Sequence, residues 1–193
     1  MAKVRKSKSR RARSKRPTKR QKRTTAPAWP ASTALRIDTQ FKGLLQALEP
    51  PIDANPDDLL PSFRDKLNAA LAQLQAANTP FKLVEGYRTV DRQQWLYGAG
   101  RPNAQPYGRP GSIVTTADGA TTKSRHQGAG TPGTGVAADC YPMKDGKVYV
   151  PSSSDPVWNT YATAVEAQGL VAGYRWTKWQ DSPHCEADVM SRR

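Results

Sequence analysis

The segment Ser124-Arg125-His126, the run Val136-Ala137-Ala138-Asp139 and the later Asp181-Ser182-Pro183-His184 decide how this chain is read. His126 and His184 are its only two histidines, and each is placed near an Asp or a Ser. Imidazole nitrogen with carboxylate oxygen suits zinc, and three protein ligands with one open position is the catalytic form of such a site. Taken singly, each imidazole reads as a hydrogen-bonded structural histidine; their joint setting weighs against that. Asp139 ends an apolar run, where an uncompensated carboxylate is costly. A cation is one compensation, and a salt bridge to an arginine is the other. The chain is a candidate zinc hydrolase.

The net charge of +14 is a property of one end. The first 23 residues hold thirteen Lys or Arg and no acid, and the rest of the chain holds 17 basic and 16 acidic residues. Residues 1–33 read as a polybasic tail followed by a Pro/Ala/Thr linker, unable to bury apolar area. Residues 3–23 suit anionic envelope polymers or nucleic acid, although no aromatic residue interrupts them to stack on bases. A solvated tail that aids solubility is the plain alternative. No apolar run is long enough to span a membrane. The N-terminus lacks the apolar core of a secretory signal. Two cysteines, Cys140 and Cys185, are too few for a disulfide framework.

Residues 34–193 suffice for one packed domain. Phe41, Leu44, Leu45 and Leu48 predict a helix over 35–48, stopped by Pro50-Pro51. Leu60, Phe63, Leu67, Leu71 and Leu74 predict a second over 61–77. Residues 81–88 begin as a strand and end in a turn, and 91–97 form a helix with Trp95 and Leu96 inward. The stretch 98–123 is loop-like, with a brief strand at Ile113 and Val114, and its length points to a functional role. Strands follow at 136–140, 148–150, 170–172 and 185–189, with a helix at 155–168. Trp176 and Trp179 wall a cleft or fill the core. If Asp139 and His184 face one metal, Cys140 and Cys185 face away from it and form a buried cross-strand pair able to form a disulfide.

The order of motifs resembles a known family. It runs Glu85-Gly86-Tyr87-Arg88-Thr89, then Gln94, Leu96, Tyr97 and Gly100-Arg101, then Gly111-Ser112-Ile113-Val114-Thr115. Ser124-Arg125-His126, Gly135-Val136-Ala137-Ala138-Asp139, and Trp179 with Asp181-Ser182-Pro183-His184-Cys185-Glu186 complete it. Over residues 60–190 the chain resembles the zinc L-alanyl-D-glutamate endopeptidases that cut bacterial cell-wall peptides, phage endolysins among them. The wider group holds D-alanyl-D-alanine carboxypeptidases and the hedgehog signalling domain.

That resemblance implies an α+β fold, a small antiparallel sheet with the zinc site on one face and helices on the other. It implies His126, Asp139 and His184 as Zn2+ ligands, Asp181 as general base, and Arg88 as the donor to a charged carbonyl oxygen. Ser124, Glu186 and Trp179 are candidates for substrate contact or for orienting a ligand. One departure stands out: twelve residues separate His126 from Asp139 where the family keeps six. The excess is rich in Gly and Pro, as an expanded turn between two adjacent strands is, and such a turn lengthens at small entropic cost. The implied function is hydrolysis of peptidoglycan between L-alanine and D-glutamate by a monomer. The alternatives are a D-Ala-D-Ala carboxypeptidase and a non-catalytic wall- or nucleic-acid-binding virion protein. With no signal peptide, delivery from the host cytoplasm to the wall through a holin-like pore, or on a phage particle, is expected.

Overall fold

The computed structural model describes residues 48–188. The basic tail, the linker, Val189 and all but the last residue of the helix expected at 35–48 lie outside the described residues. Three α-helices and five strands make up the described part: α1 Pro61–Ala76, β1 Phe81–Glu85, α2 Val90–Gly98, β2 Ala137–Lys144, β3 Lys147–Val148, α3 Val157–Ala167, β4 Leu170–Ala172 and β5 His184–Ala187. The sheet is antiparallel in the order β1-β2-β5-β4, with the short β3 folded back on β2. The fold is α+β, as expected.

Alternation along each strand separates the two faces. Ala138, Cys140, Cys185 and Ala172 point to one side and are completely or almost completely buried. There they meet the apolar stripe of α1 (Phe63, Leu67, Ala70, Leu74) and α3, whose Trp158, Tyr161 and Val165 face inward. Phe81 stacks on Tyr161 with ring centroids 4.8 Å apart. The opposite face carries a row across three neighbouring strands, with Glu85 opposite Asp139 and Asp139 opposite His184.

Glu85 joins that row because of an irregularity. Leu83 pairs with Cys140, so regular alternation would set Glu85 on the core side with Phe81 and Leu83. The register shifts between Leu83 and Glu85, and Glu85 pairs with Asp139 instead. One extra residue in a strand re-aims the next side chain.

Several sequence expectations need correction. Ile113 and Val114 form no strand, and both are about half exposed. In α2 the buried side chains are Arg92 and Gln93, with Trp95 and Leu96 only partly covered. The helix leaves the core because its polar residues have partners elsewhere: Arg92 reaches Glu85, and Gln93 reaches Arg88. Of the two readings open for Trp176 and Trp179, the structure has the cleft wall: both are exposed and line it.

The cysteines are free thiols, both wholly buried on the face away from Asp139 and His184. Cys185 lies opposite Ala138 while the Cys140 backbone N–H donates to Pro183 O, so the two cysteines are diagonal neighbours. Diagonal Cα atoms lie about 7–8 Å apart, further than the roughly 4.4–6.8 Å a disulfide usually spans. Burial pushes both thiols up, Cys185 to about 12, with the Tyr161 hydroxyl against both. They are neutral core residues, not metal ligands.

Candidate metal centre

His126 lies on a single 3-10 turn, Arg125–Gln127, rather than on a strand. Ser124 caps that turn: its hydroxyl accepts from the His126 N–H, and its own N–H donates to Gln127 Oε1 at 2.8 Å. The turn is strapped to the end of β1 from both sides. Arg88 N–H donates to His126 O, and His126 Nδ1 lies 2.7 Å from Gly86 O. A carbonyl only accepts, so Nδ1 carries a proton, and Nε2 is the ring nitrogen turned toward the cluster.

The twelve-residue spacing is absorbed locally. Val136 N–H donates to Arg125 O, closing the insert on itself. Gly128 turns the chain with φ +51°, and a Cβ there would lie 1.7 Å from Thr134 O. Gly133 and Gly135 N–H groups both donate to Asp58 O, fixing the loop to the segment before α1. The insert therefore joins a 3-10 turn to β2, not one strand to another, and its length does not reach the site.

Asp139 comes from β2 and His184 from the first position of β5. His184 Nε2 lies 3.3 Å from Glu186 Oε2, an acceptor that holds a proton on Nε2 and turns Nδ1 toward the cluster. Three potential donor atoms then face one another. His126 Nε2 and His184 Nδ1 are 3.3 Å apart, His184 Nδ1 and Asp139 Oδ1 3.2 Å, and His126 Nε2 and Asp139 Oδ1 3.5 Å. A tetrahedral ion with bonds of about 2.0–2.1 Å needs donor atoms about 3.3 Å apart. The donor set fits zinc in both chemistry and size, and among the described residues it is the one such cluster.

Electrostatics point the same way. Burial pushes the Asp139 carboxyl up, but the adjoining His126 and His184 outweigh it and hold it well below the usual carboxylate range. Burial pushes His184 down, and the Asp139 and Glu186 carboxylates reverse this, raising it to about 9. The cluster is built to hold positive charge.

The outer oxygen of Asp139, Oδ2, accepts from Arg88 Nη2 at 3.2 Å. Arg88 also donates to Glu85 Oε2 at 2.8 Å and to Gln93 Oε1 at 3.0 Å, while its Nε has no acceptor among the described residues. Gln93, completely buried, donates onward to Ala117 O and Thr115 Oγ1, and Gln127 donates to Gly119 O. Two buried amides thus fasten the long 98–123 loop along the site. The loop forms one wall of a cleft of about 590 Å³, which Trp176 and Trp179 flank. The Trp176 ring lies 5.0 Å from that of His184.

Asp181 lines the same cleft. Burial raises its carboxyl pKa, and Asp139 adds to the rise, while His184, His126 and Arg88 oppose it. The segment 181–184 is held by Gly173, whose carbonyl accepts from Asp181 N–H. A Cβ on Gly173 would lie 2.5 Å from Asp181 O and 2.9 Å from His184 Cβ. Gly173→Ala is therefore expected to cost about 1–3 kcal/mol of stability by overpacking and to lower activity by displacing both side chains. Thermal melting and turnover measured together check this.

Of the candidate residues, His126, Asp139 and His184 meet in one cluster, and Arg88, Asp181, Ser124, Glu186 and Trp179 line the cleft around it. Ser124 also shapes the turn, and Glu186 bonds to a cluster histidine. Sequence reading assigned no role to Arg92, Gln93, Gln127 or Gly173. The available signal was a polar pair, Arg92-Gln93, on the helix directly after Arg88.

A scan against protein-family models found no match, and a search of curated proteins found none. A search of solved structures returned the L-Ala D-Glu endopeptidase ChiX of Serratia marcescens, at 22% identity over 71% of this chain and 86% of that one, with a TM-score of 0.47. It also returned the LdcB LD-carboxypeptidase, at 15% identity over 72% of this chain and 66% of that one, with a TM-score of 0.48. At such scores these are distant likenesses in shape, and the chemistry is read from the cluster itself.

Proposed function

We propose that the chain is a zinc-dependent hydrolase of peptidoglycan stem peptides, cutting between L-alanine and D-glutamate. The observation that carries this is the triangle of three converging donor atoms, two imidazole nitrogens and a carboxylate oxygen, lining a cleft that also holds Asp181. His126, Asp139 and His184 would hold the ion. Zinc bound there supplies a Lewis acid and makes a neighbouring water easier to deprotonate. Asp181 takes the proton of the attacking water and returns it to the leaving amine. Its raised pKa suits both halves of that task. Arg88 steadies the developing negative charge through the N–H groups not committed to Glu85, Gln93 and Asp139.

Charge in the cleft bears on the substrate. Arg88 is paired with Glu85 and Asp139, and Arg125 Nε lies 3.7 Å from Glu186. Lys123 is the one cleft cation without a carboxylate partner among the described residues; its ammonium reaches only Ala129 O, at 3.4 Å. This supports a substrate whose leaving residue bears a free carboxylate.

Digestion of purified peptidoglycan, followed by mass spectrometry of the fragments, tests the reading. New D-glutamate amino termini, absent with Asp181→Ala, are expected. Released D-alanine would instead assign a D-Ala-D-Ala carboxypeptidase, and binding without any cleavage would leave a wall-binding module.

A further inference from the structure

We propose that Glu85 is a positioning residue for the cation cluster, acting through Arg88 on the Asp139 carboxylate. This rests on the metal-site reading above. The β1 irregularity takes a carboxylate that alternation would bury in the core and sets it in line with Asp139 and His184. Glu85 is 7% exposed, and each of its oxygens takes one guanidinium: Oε2 that of Arg88 and Oε1 that of Arg92, both at 2.8 Å. Arg88 Nη2 is shared between Glu85 and Asp139 Oδ2, the oxygen outside the donor triangle.

The consequence is electrostatic. With Glu85 ionised, part of the pull of Arg88 is answered away from the cluster, by the nearer of its two carboxylate partners. Without that charge, Asp139 is the only carboxylate left in hydrogen-bond contact with Arg88. A guanidinium at close range in a site poor in water then draws electron density from the ligand and competes with the ion. The corresponding outer chain behind His184 is weaker: Arg125 stands 3.7 Å from Glu186 with its side chain 35% exposed, so solvent screens it.

A double-mutant cycle on the full chain tests this, using Glu85→Gln, Arg88→Met and the pair. Zinc affinity is read by chelator competition, ligand geometry by the visible spectrum of the Co(II)-substituted protein, and folding by melting of the metal-free form. Glu85→Gln is expected to weaken zinc about 10–100-fold, the range outer partners command, and to shift the Co(II) bands. In the Arg88→Met background the same change is expected to add nothing. Zinc affinity within twofold of wild type, or losses that multiply in the double variant, would overturn the proposal. If Glu85→Gln does not fold, Glu85→Asp enters the same cycle: a loss that vanishes with Arg88→Met supports the relay, and one that persists overturns it. Failure of the wild-type chain to take up zinc would instead remove the metal-site reading, and this proposal with it.

Discussion

Asp181→Asn is expected to lower the turnover number by about 10²–10⁴-fold while the protein still takes up one equivalent of zinc. The amide keeps the shape of the carboxylate but cannot accept a proton. Because the base works ionised, the wild-type rate should fall as pH drops through the Asp181 pKa. Burial and the neighbouring Asp139 place that pKa above the ordinary aspartate value of 3.8, with His184, His126 and Arg88 opposing the rise. The acid limb of the pH–rate profile is expected to disappear in the variant. Turnover close to wild type would remove Asp181 from the chemistry. Zinc loss as deep as in a histidine variant would make it a ligand instead.

Removing a proposed ligand is expected to have the other large effect. His184→Ala is expected to reduce hydrolysis to background and to weaken zinc by more than the roughly 10–100-fold that outer-shell partners cost. Chelation of the wild-type protein should do the same, reversed by added zinc. The chelated form also carries a pH signature. In the metal-free fold the His184 pKa is raised to about 9, above its ordinary value of 6.5, because Asp139 and Glu186 outweigh burial. A raised pKa contributes stability that is fully present below 6.5 and lost as pH rises through 9. The chelated protein should therefore melt at lower temperature at pH 9.5 than at pH 6. Melting curves of chelated wild type and His184→Ala at the two pH values check this. An equal drop in both would assign it to another group.

Much of the architecture was legible in the chain because it follows from local periodicity. The apolar stripe of α1, from Phe63 to Leu74, and the alternation of Ala138, Asp139 and Cys140 in β2 each mark a buried face without reference to the rest of the molecule. The same alternation correctly turned both cysteines away from Asp139 and His184. Where local pattern failed, polar residues had long-range partners. Helix α2 shows no clear apolar stripe, and its buried residues are Arg92 and Gln93, held by Glu85, Arg88 and the 115–117 backbone. For Trp176 and Trp179 residue type left cleft wall and core both open, and they stand at the rim of the cleft.

By itself the sequence determined the three candidate ligands, the strands that carry Asp139 and His184, and the core behind them, since residue type and period are local properties. Only the tertiary structure decided that His126 sits on a capped 3-10 turn, that the eight residues before Val136 close on themselves, and that an irregularity in β1 brings Glu85 level with Asp139. Those outcomes depend on which backbone N–H and C=O groups find each other across distant segments, and no pattern along one stretch of chain records that pairing.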